Sequence, residues 1–325
     1  MSSHTDTLDE GAMKLAFYLS QELSKSHEVF QFNAKGLLSK SLWKKLKGFQ
    51  PQIVHIFLRP DIITLAIAGL LRFYLRHTRI VISSLQPPLQ YPVIKRLVPL
   101  VKPDLVLTQS DDTARMFSNL GCNTAFLTSA VDTQKFTPVS PSGKEGLRKK
   151  YAFDSQKYIV LHVGHIRKGR NLEVICRIQG GDNQVLIISS TAFQPDMRVY
   201  NSLKEQGCVI WRQHFENLEE IYGLADCYLF PTINRSNCIE FPLSVLEAMS
   251  CNLPVIVTKF GGLPKFLEKG DGMIFVAEED DLLCHIEHLK QGDVVVRTRE
   301  KVLPYTWENT AARLEKMYTS LLTDD

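Results

Sequence analysis

Ile53-Val-His-Ile-Phe57 is apolar at nearly every position. That is the pattern of a strand buried on both faces of a parallel sheet, not of a half-exposed strand with strict alternation. Working outward from it, short β-rich runs alternate with amphipathic stretches along the whole chain. In the first half, strands are expected at 28–32, 53–57, 80–83, 105–108 and 124–127, with helical patterns over 13–24, 62–76 and 113–120. A Pro, Ser and Gly cluster at 137–143 interrupts the pattern and reads as a linker. The alternation then restarts with strands at 158–163, 185–189, 209–211, 227–230, 255–258 and 273–276, a helix from Asn171, and a last helix over 306–322. The expected fold is α/β, two doubly wound (Rossmann-like) domains at 1–137 and 138–305, followed by a C-terminal helix at 306–325 that could cross back to the first. Such sheets bind ligands beyond the C-terminal ends of their strands. Two of them joined by a linker should face a cleft, with the informative residues just after strands.

Composition narrows the function classes. The 325 residues are 44% hydrophobic and 22% charged, which excludes a disordered chain, and 18 Gly and 15 Pro without a period exclude a collagen-like one. The longest apolar stretch, 62–71, is half of the roughly 20 residues that cross a bilayer. Residues 1–10 are polar and acidic, without the apolar core of a signal peptide. Seven Cys form no CxxC pair, and no Cys/His cluster has zinc spacing, so reduced thiols, an intracellular setting and no metal are expected.

Charge is unevenly spread. Residues 29–103 hold twelve Lys or Arg against one acid, Asp61. This is either a solvated face or an electrostatic footprint for anions. Within it, Leu42, Trp43, Leu46 and Phe49 fall near one helical face and Lys40, Lys44, Lys45 and Lys47 mostly on the other. Such a helix suits an anionic membrane surface, and packing against a sheet would produce the same pattern. No RNP-type aromatic pattern or zinc module accompanies the basic half, so nucleic acid is not an expected partner.

Three loops carry chemistry. After the strand at 158–163 comes Gly164-His-Ile-Arg-Lys-Gly-Arg-Asn171. Gly164 permits a tight turn, Arg167, Lys168 and Arg170 bring positive charge, and a following helix N-terminus points amides outward, as a phosphate or diphosphate requires. After the strand at 227–230, Glu240 is expected at a helix start with Glu247 two turns on, along the same face. Glu247 lies among Leu243, Val245, Leu246, Ala248 and Met249, an apolar setting that suits carboxylates meeting sugar hydroxyls. After the strand at 255–258, Gly261-Gly-Leu-Pro264 lets backbone approach a ligand.

Several of these motifs, in order, resemble the GT-B fold retaining glycosyltransferases of family 4 (glycosyl transferases group 1). The stretch carrying the resemblance is Glu240-Phe-Pro-Leu-Ser-Val-Leu-Glu-Ala-Met-Ser-Cys-Asn-Leu-Pro-Val-Ile256, followed by Gly261-Gly-Leu-Pro264. Val131–Pro138, Tyr222–Asp226 and the loop at 164–171 match as well, and the similarity runs from about Gly11 onward. The resemblance implies transfer of a sugar from a nucleotide-sugar donor, with retention, to a lipid-linked, polysaccharide or other glycan acceptor. Arg170 would contact the donor diphosphate in place of the usual Lys, with His165 a weaker match at the other basic position and Arg167 and Lys168 as substitutes. Glu247 would bind ribose hydroxyls, and Phe241, Pro242 and Leu243 would line sugar and phosphate through backbone. Neither a cofactor nor a metal is implied.

The chain departs from the family in three places. Ile239 stands where the family has its first Glu, with Glu240 one residue later as the sugar-contacting candidate. The segment 82–86 lacks the His that related enzymes carry there. Residues 1–11 already look like the loop that follows the family's first strand, with Gly11 on the acceptor side, so the first strand of the N-terminal domain is expected to be missing. These departures keep open a second reading, a catalytically impaired nucleotide-sugar-binding subunit.

Overall fold

The structure, a computed structural model, describes residues 11–89, 91–277 and 282–323, without the side chains at 34 and 35. It divides into an N-terminal unit, residues 12–128 with 307–325, and a C-terminal unit, residues 129–306 with Gly11. The first unit starts with α1 (Gly11–Leu23) and α2 (Lys40–Phe49). Then β1 (Ile53–Ile56), α3 (Ile62–Tyr74), β2 (Arg79–Ser84), α4 (Tyr91–Val101), β3 (Leu105–Thr108), α5 (Asp111–Ser118) and β4 (Thr124–Phe126) alternate. All pairings are parallel and the sheet order is β1-β2-β3-β4, so among the described residues this sheet winds one way only.

Two expectations change here. Residues 28–32 are not a strand: Phe30 stacks on Phe32 at 6.3 Å and meets Phe49 of α2 at 5.7 Å, so the apolar alternation is anchored on a helix. The amphipathic α2 turns its apolar face inward. Leu42 and Leu46 are buried with Val54, Ile56, Leu65 and Ile80, and Trp43 Nε1 donates to the Leu37 carbonyl at 2.8 Å. Its pattern therefore comes from packing on the sheet. The expected loop at residues 1–10 lies outside the described residues.

The second unit opens with α6 (Pro141–Lys150). Ser140 Oγ accepts from Gly143 N at 3.1 Å and Pro141 occupies the first turn, so the 137–143 cluster is a helix cap rather than free linker. There follow β5 (Tyr158–Val163), β6 (Asn183–Ser189), α7 (Met197–Glu205), β7 (Val209–Arg212), α8 (Leu218–Leu224), β8 (Cys227–Phe230) and α9 (Leu243–Ser250). The unit is completed by β9 (Val255–Thr258), α10 (Leu263–Phe266), β10 (Met273–Val276), α11 (Leu282–Lys290) and α12 (Thr298–Val302). The helix expected from Asn171 is a six-residue 3-10 segment, Leu172–Arg177, entered with Asn171 at φ 55°. The parallel sheet has order β10-β9-β8-β5-β6-β7, so the winding reverses between β5 and β8. The last helix, α13 (Trp307–Thr323), belongs to the N-terminal unit. There Tyr318 Oη meets His55 Nδ1 at 2.6 Å, while His55 Nε2 meets Ser83 Oγ at 2.7 Å.

The two units share a stapling device. Asp104, just before β3, accepts from Ile80 N at 2.7 Å and pairs with Arg72 of α3 at 2.6 Å, while its own amide donates to Ile80 O at 2.9 Å. Asp226, just before β8, accepts from Ile159 N at 2.7 Å, pairs with Arg148 of α6, and donates its amide to Ile159 O at 2.9 Å. In each case one carboxylate fixes the start of a central strand to its neighbour and to a covering helix.

Candidate functional site

At the reversal between β5 and β8 the chains leaving the two strands diverge, the usual ligand position in such sheets. The loops that leave these strands, 164–171 and 231–242, are laced together. Asn237 Nδ2 donates to Lys168 O at 2.8 Å, Asn234 N to Gly169 O at 3.2 Å, and Arg170 Nη2 to Asn237 O at 2.8 Å. Gly169, at φ 85°, has Asn237 Nδ2 only 2.5 Å from where a Cβ would stand. A Cβ on Gly164 would collide with the Arg170 guanidinium and come within 3.0 Å of His162 Nε2. Gly164 is thus the space that Arg170, itself 5% exposed, occupies.

The four basic loop residues separate. Arg170 lies inside. Arg167 stacks its guanidinium on the Phe193 ring at 4.7 Å, His165 packs edge-on against that same ring, and Lys168 is exposed. Only Arg170 is built into the switch point with Gly164.

The acidic side is held by two glycines. Glu240 is not at a helix start, as the spacing suggested: α9 begins at Leu243, with Pro242 as N-cap, and Glu240 sits in the bend before it. Gly262 N donates to Glu240 O at 2.8 Å, and Gly261, at φ 52°, presses so closely on the Glu240 backbone that no Cβ fits. The Glu240 side chain is fully buried, with Arg235 Nη1 at 4.0 Å from Oε1. Glu247 is buried on α9, where Tyr222 Oη donates to its Oε2 at 2.7 Å. Buried carboxylates are expensive to keep in a fold without a task. The Phe241 ring lies in the core against Phe266 and Tyr305, and its carbonyl accepts from Ser129 Oγ at 2.6 Å. Pro242 at the N-cap position makes no side-chain cap hydrogen bond, and a helix start of this kind is suited to an anion. Gly11, the acceptor-side candidate, is the first residue of α1.

Spacing gave no signal for several residues that build the site. Tyr228 Oη donates to Ser244 Oγ at 2.8 Å and approaches Val163 O at 3.3 Å, tying the end of β5 to the first turn of α9. Burial raises its pKa well above the ordinary tyrosine value; the Ser244 bond and Arg170 lower it, and Cys238 and Glu247 raise it. Tyr228 therefore lies within electrostatic reach of both charges. His162, on β5, hydrogen-bonds Leu229 O through Nδ1 at 2.9 Å and is lowered to about 4 by burial, with Arg170 adding to the shift, so the ring is neutral. Among the described residues, nothing meets His162 Nε2 or Arg170 Nε. A ligand hydroxyl or a water fits both needs, since it can donate to His162 Nε2 and accept from Arg170 Nε. These residues lie inside apolar strands or turns, where a sequence shows only hydrophobic pattern. No group of three possible metal ligands occurs among the described residues.

Residues 153–291 match the family model for glycosyl transferases group 1. This segment is similar to a group 1 glycosyltransferase domain. The whole chain has the GT-B fold, two Rossmann-like domains. It superposes with TM-score 0.71 on a glycosyltransferase from Rickettsia africae, at 15% identity over 100% of this chain and 97% of that one. Anabaena Alr3699/HepE in complex with UDP superposes with TM-score 0.69, at 15% identity over 90% and 86% of the two chains. In sequence, the chain is 25% identical over 196 residues to the GDP-mannose-dependent monoacylated alpha-(1-6)-phosphatidylinositol monomannoside mannosyltransferase of Corynebacterium glutamicum. That alignment covers 56% of this chain and 51% of the relative. The chain spans about half the length of the curated relatives it matches.

Proposed function

We propose that this chain is a nucleotide-sugar-dependent glycosyltransferase that retains anomeric configuration and acts on a lipid-linked or other glycan acceptor. The observation that carries the reading is the gathering, at one sheet reversal, of a buried guanidinium on Gly164 and the buried carboxylates Glu240 and Glu247. Arg170 and the start of α9 meet the charge that develops on the leaving diphosphate. With that charge met by protein groups, the reading calls for neither metal nor cofactor. Glu247, oriented by Tyr222, accepts from ribose hydroxyls, and Glu240 faces the transferred sugar. The relative named for GDP-mannose and a phosphatidylinositol mannoside, and the neighbour holding UDP, support the donor class and a lipid acceptor. In the same reading the basic segment 35–103 holds the protein to the cytoplasmic face of an anionic membrane as a peripheral protein. No described helix is long and apolar enough to cross one.

The test is a thermal-shift series with UDP-, GDP- and ADP-sugars and their nucleotides, followed by turnover with the donor that binds. One nucleotide series should raise the melting temperature and lose its effect in Glu247→Ala. A folded protein that no donor shifts would sink the proposal.

A further inference from the structure

The helix that the spacing offered to a membrane, α2, buries its apolar side. The helix beside it does not. In α3 only Thr64, Gly69 and Arg72 break an apolar run, and the helix is apolar on both sides. Leu65, Ala68 and Leu71 enter the core, while Ile63, Ala66, Leu70 and Phe73, at spacings of three and four, point outward. Ile63 is 67% exposed and Phe73 71%. A helix apolar all round is ordinarily covered on all sides; here, among the described residues, the outer side is open. The neighbouring α4 continues the surface. It packs beside α3 at Gly69, with Val101 Cγ2 3.6 Å from where a Cβ would be, and Leu100 stands out at 81% exposed.

Charge decides what the open face fits. Lys95 and Arg96 on α4, Arg76 after α3 and Lys102 after α4 are exposed. No acid lies on either helix. Asp61 is engaged as the α3 cap, accepting from Thr64 N at 2.7 Å, and Asp104 is engaged by Arg72 and Ile80 N. At thirteen residues, α3 is too short to span a bilayer of the usual roughly 20-residue requirement. An apolar stripe bordered by unopposed cations is the surface of a helix that lies in the headgroup region of an anionic leaflet.

We infer that the outer face of α3 and α4, with Ile63, Leu70, Phe73 and Leu100 as its apolar contacts and Lys95 and Arg96 beside them, is the surface that enters an anionic lipid bilayer. The inference rests on the peripheral-membrane part of the proposed function and replaces α2 as the contact. Bound lipid headgroups would be met by Lys95 and Arg96, and acyl chains by the four apolar side chains.

The experiment is co-sedimentation of the full chain with vesicles of phosphatidylcholine alone and of phosphatidylcholine with about one-quarter phosphatidylglycerol, at low and high salt. The variants are Phe73→Ser/Leu100→Ser, Lys95→Glu/Arg96→Glu and, on α2, Lys44→Glu/Lys45→Glu. Both serine positions are exposed, so the fold should hold, which the thermal shift with nucleotide also checks. The expected result is binding to the anionic vesicles only, weakened by salt, and reduced roughly tenfold by either α3–α4 variant but little by the α2 variant. If the wild-type chain ignores anionic vesicles, the membrane reading itself falls. If it binds and the serine variant binds equally well, the membrane reading stands and this face is the wrong one. A wild-type dimer that Phe73→Ser/Leu100→Ser converts to monomer would show that a second copy covers the face, and would overturn the inference.

Discussion

Tyr222 Oη donates a 2.7 Å hydrogen bond to Glu247 Oε2, with both residues buried. Burial, followed by the Glu247 charge, raises the Tyr222 hydroxyl well above its ordinary pKa, so it stays a donor throughout the useful pH range. Tyr222→Phe removes that donor from a buried carboxylate. Stability should fall by about 2 kcal/mol, and donor affinity should fall with it because Glu247 loses its orientation. Calorimetric unfolding and nucleotide titration check both; an unchanged melting temperature would mean the bond contributes nothing.

Gly164→Ala places a methyl group in the space of the Arg170 guanidinium. The expected outcome is weaker binding of the nucleoside diphosphate by at least tenfold, with binding of the uncharged nucleoside little affected, because only the phosphate contact moves. Titration calorimetry with the two ligands separates these cases. Equal losses for both would place Arg170 away from the phosphate.

Gly261→Ala suffers twice, from φ 52° and from collision with the Glu240 backbone. We expect destabilisation of about 2 kcal/mol or more and loss of turnover through displacement of Glu240. Gly270→Ala is the control: it also has positive φ, but open space around it, and should cost stability alone. Denaturant melts and turnover of the two variants give the comparison.

Acid sensitivity should come from two neutral histidines. Burial lowers His55 to about 3 and His162 to about 4, whereas an unfolded histidine takes its proton near 6.5. Above that value both states are neutral and there is no penalty. As pH falls from about 6.5 toward 4, the unfolded chain binds protons that the folded one refuses, so stability drops by up to about 1.4 kcal/mol per pH unit for each histidine. Melting curves across this range should show the decline, and His55→Asn should flatten it. A slope unaltered by that substitution would assign the loss to other groups.

Asp226→Ala leaves Arg148, itself 7% exposed, without its carboxylate and Ile159 N without its acceptor. Removing one member of such a pair costs about 3 kcal/mol. Denaturant unfolding of the variant should show a loss of that size, and one below roughly 1 kcal/mol would show that solvent reaches the pair.

The strands at 158–163, 227–230, 255–258, 273–276 and 105–108 coincide with their sequence readings because a parallel strand covered on both faces is a bare apolar run with sharp ends. The run at 28–32 also carries apolar residues, interrupted by Gln31, and only the arrival of Phe49 from α2 decides that they pack on a helix. Gly164, Arg170 and Glu247 could be picked out because glycine, a cation after a strand and a charge among apolar residues are local anomalies. The helical spacing of Glu240 and Glu247 did not survive: Pro242 starts α9 two residues past Glu240, and the Gly261–Gly262 turn, distant in sequence, fixes that residue instead. Tyr228, Ser244 and Asn237 matter through partners far along the chain, which no local pattern displays.

Asp104 and Asp226 have a consequence for how the two sheets tolerate change. Each holds register from the end where its strand begins, and the second does so at the opposite end of β8 from the loop at 231–242. Alignment of the strands is therefore not entrusted to the loops that follow them. Those loops can lengthen, shorten or shift by a residue without unfastening the sheet. A deep substitution scan should accordingly show a gradient along the strand axis. Abundance should be lost by replacements at the aspartate end and at the close-packed Gly164 and Gly261, whereas replacements elsewhere in the loops at the other end should change which molecules are bound while leaving protein levels nearly unaltered.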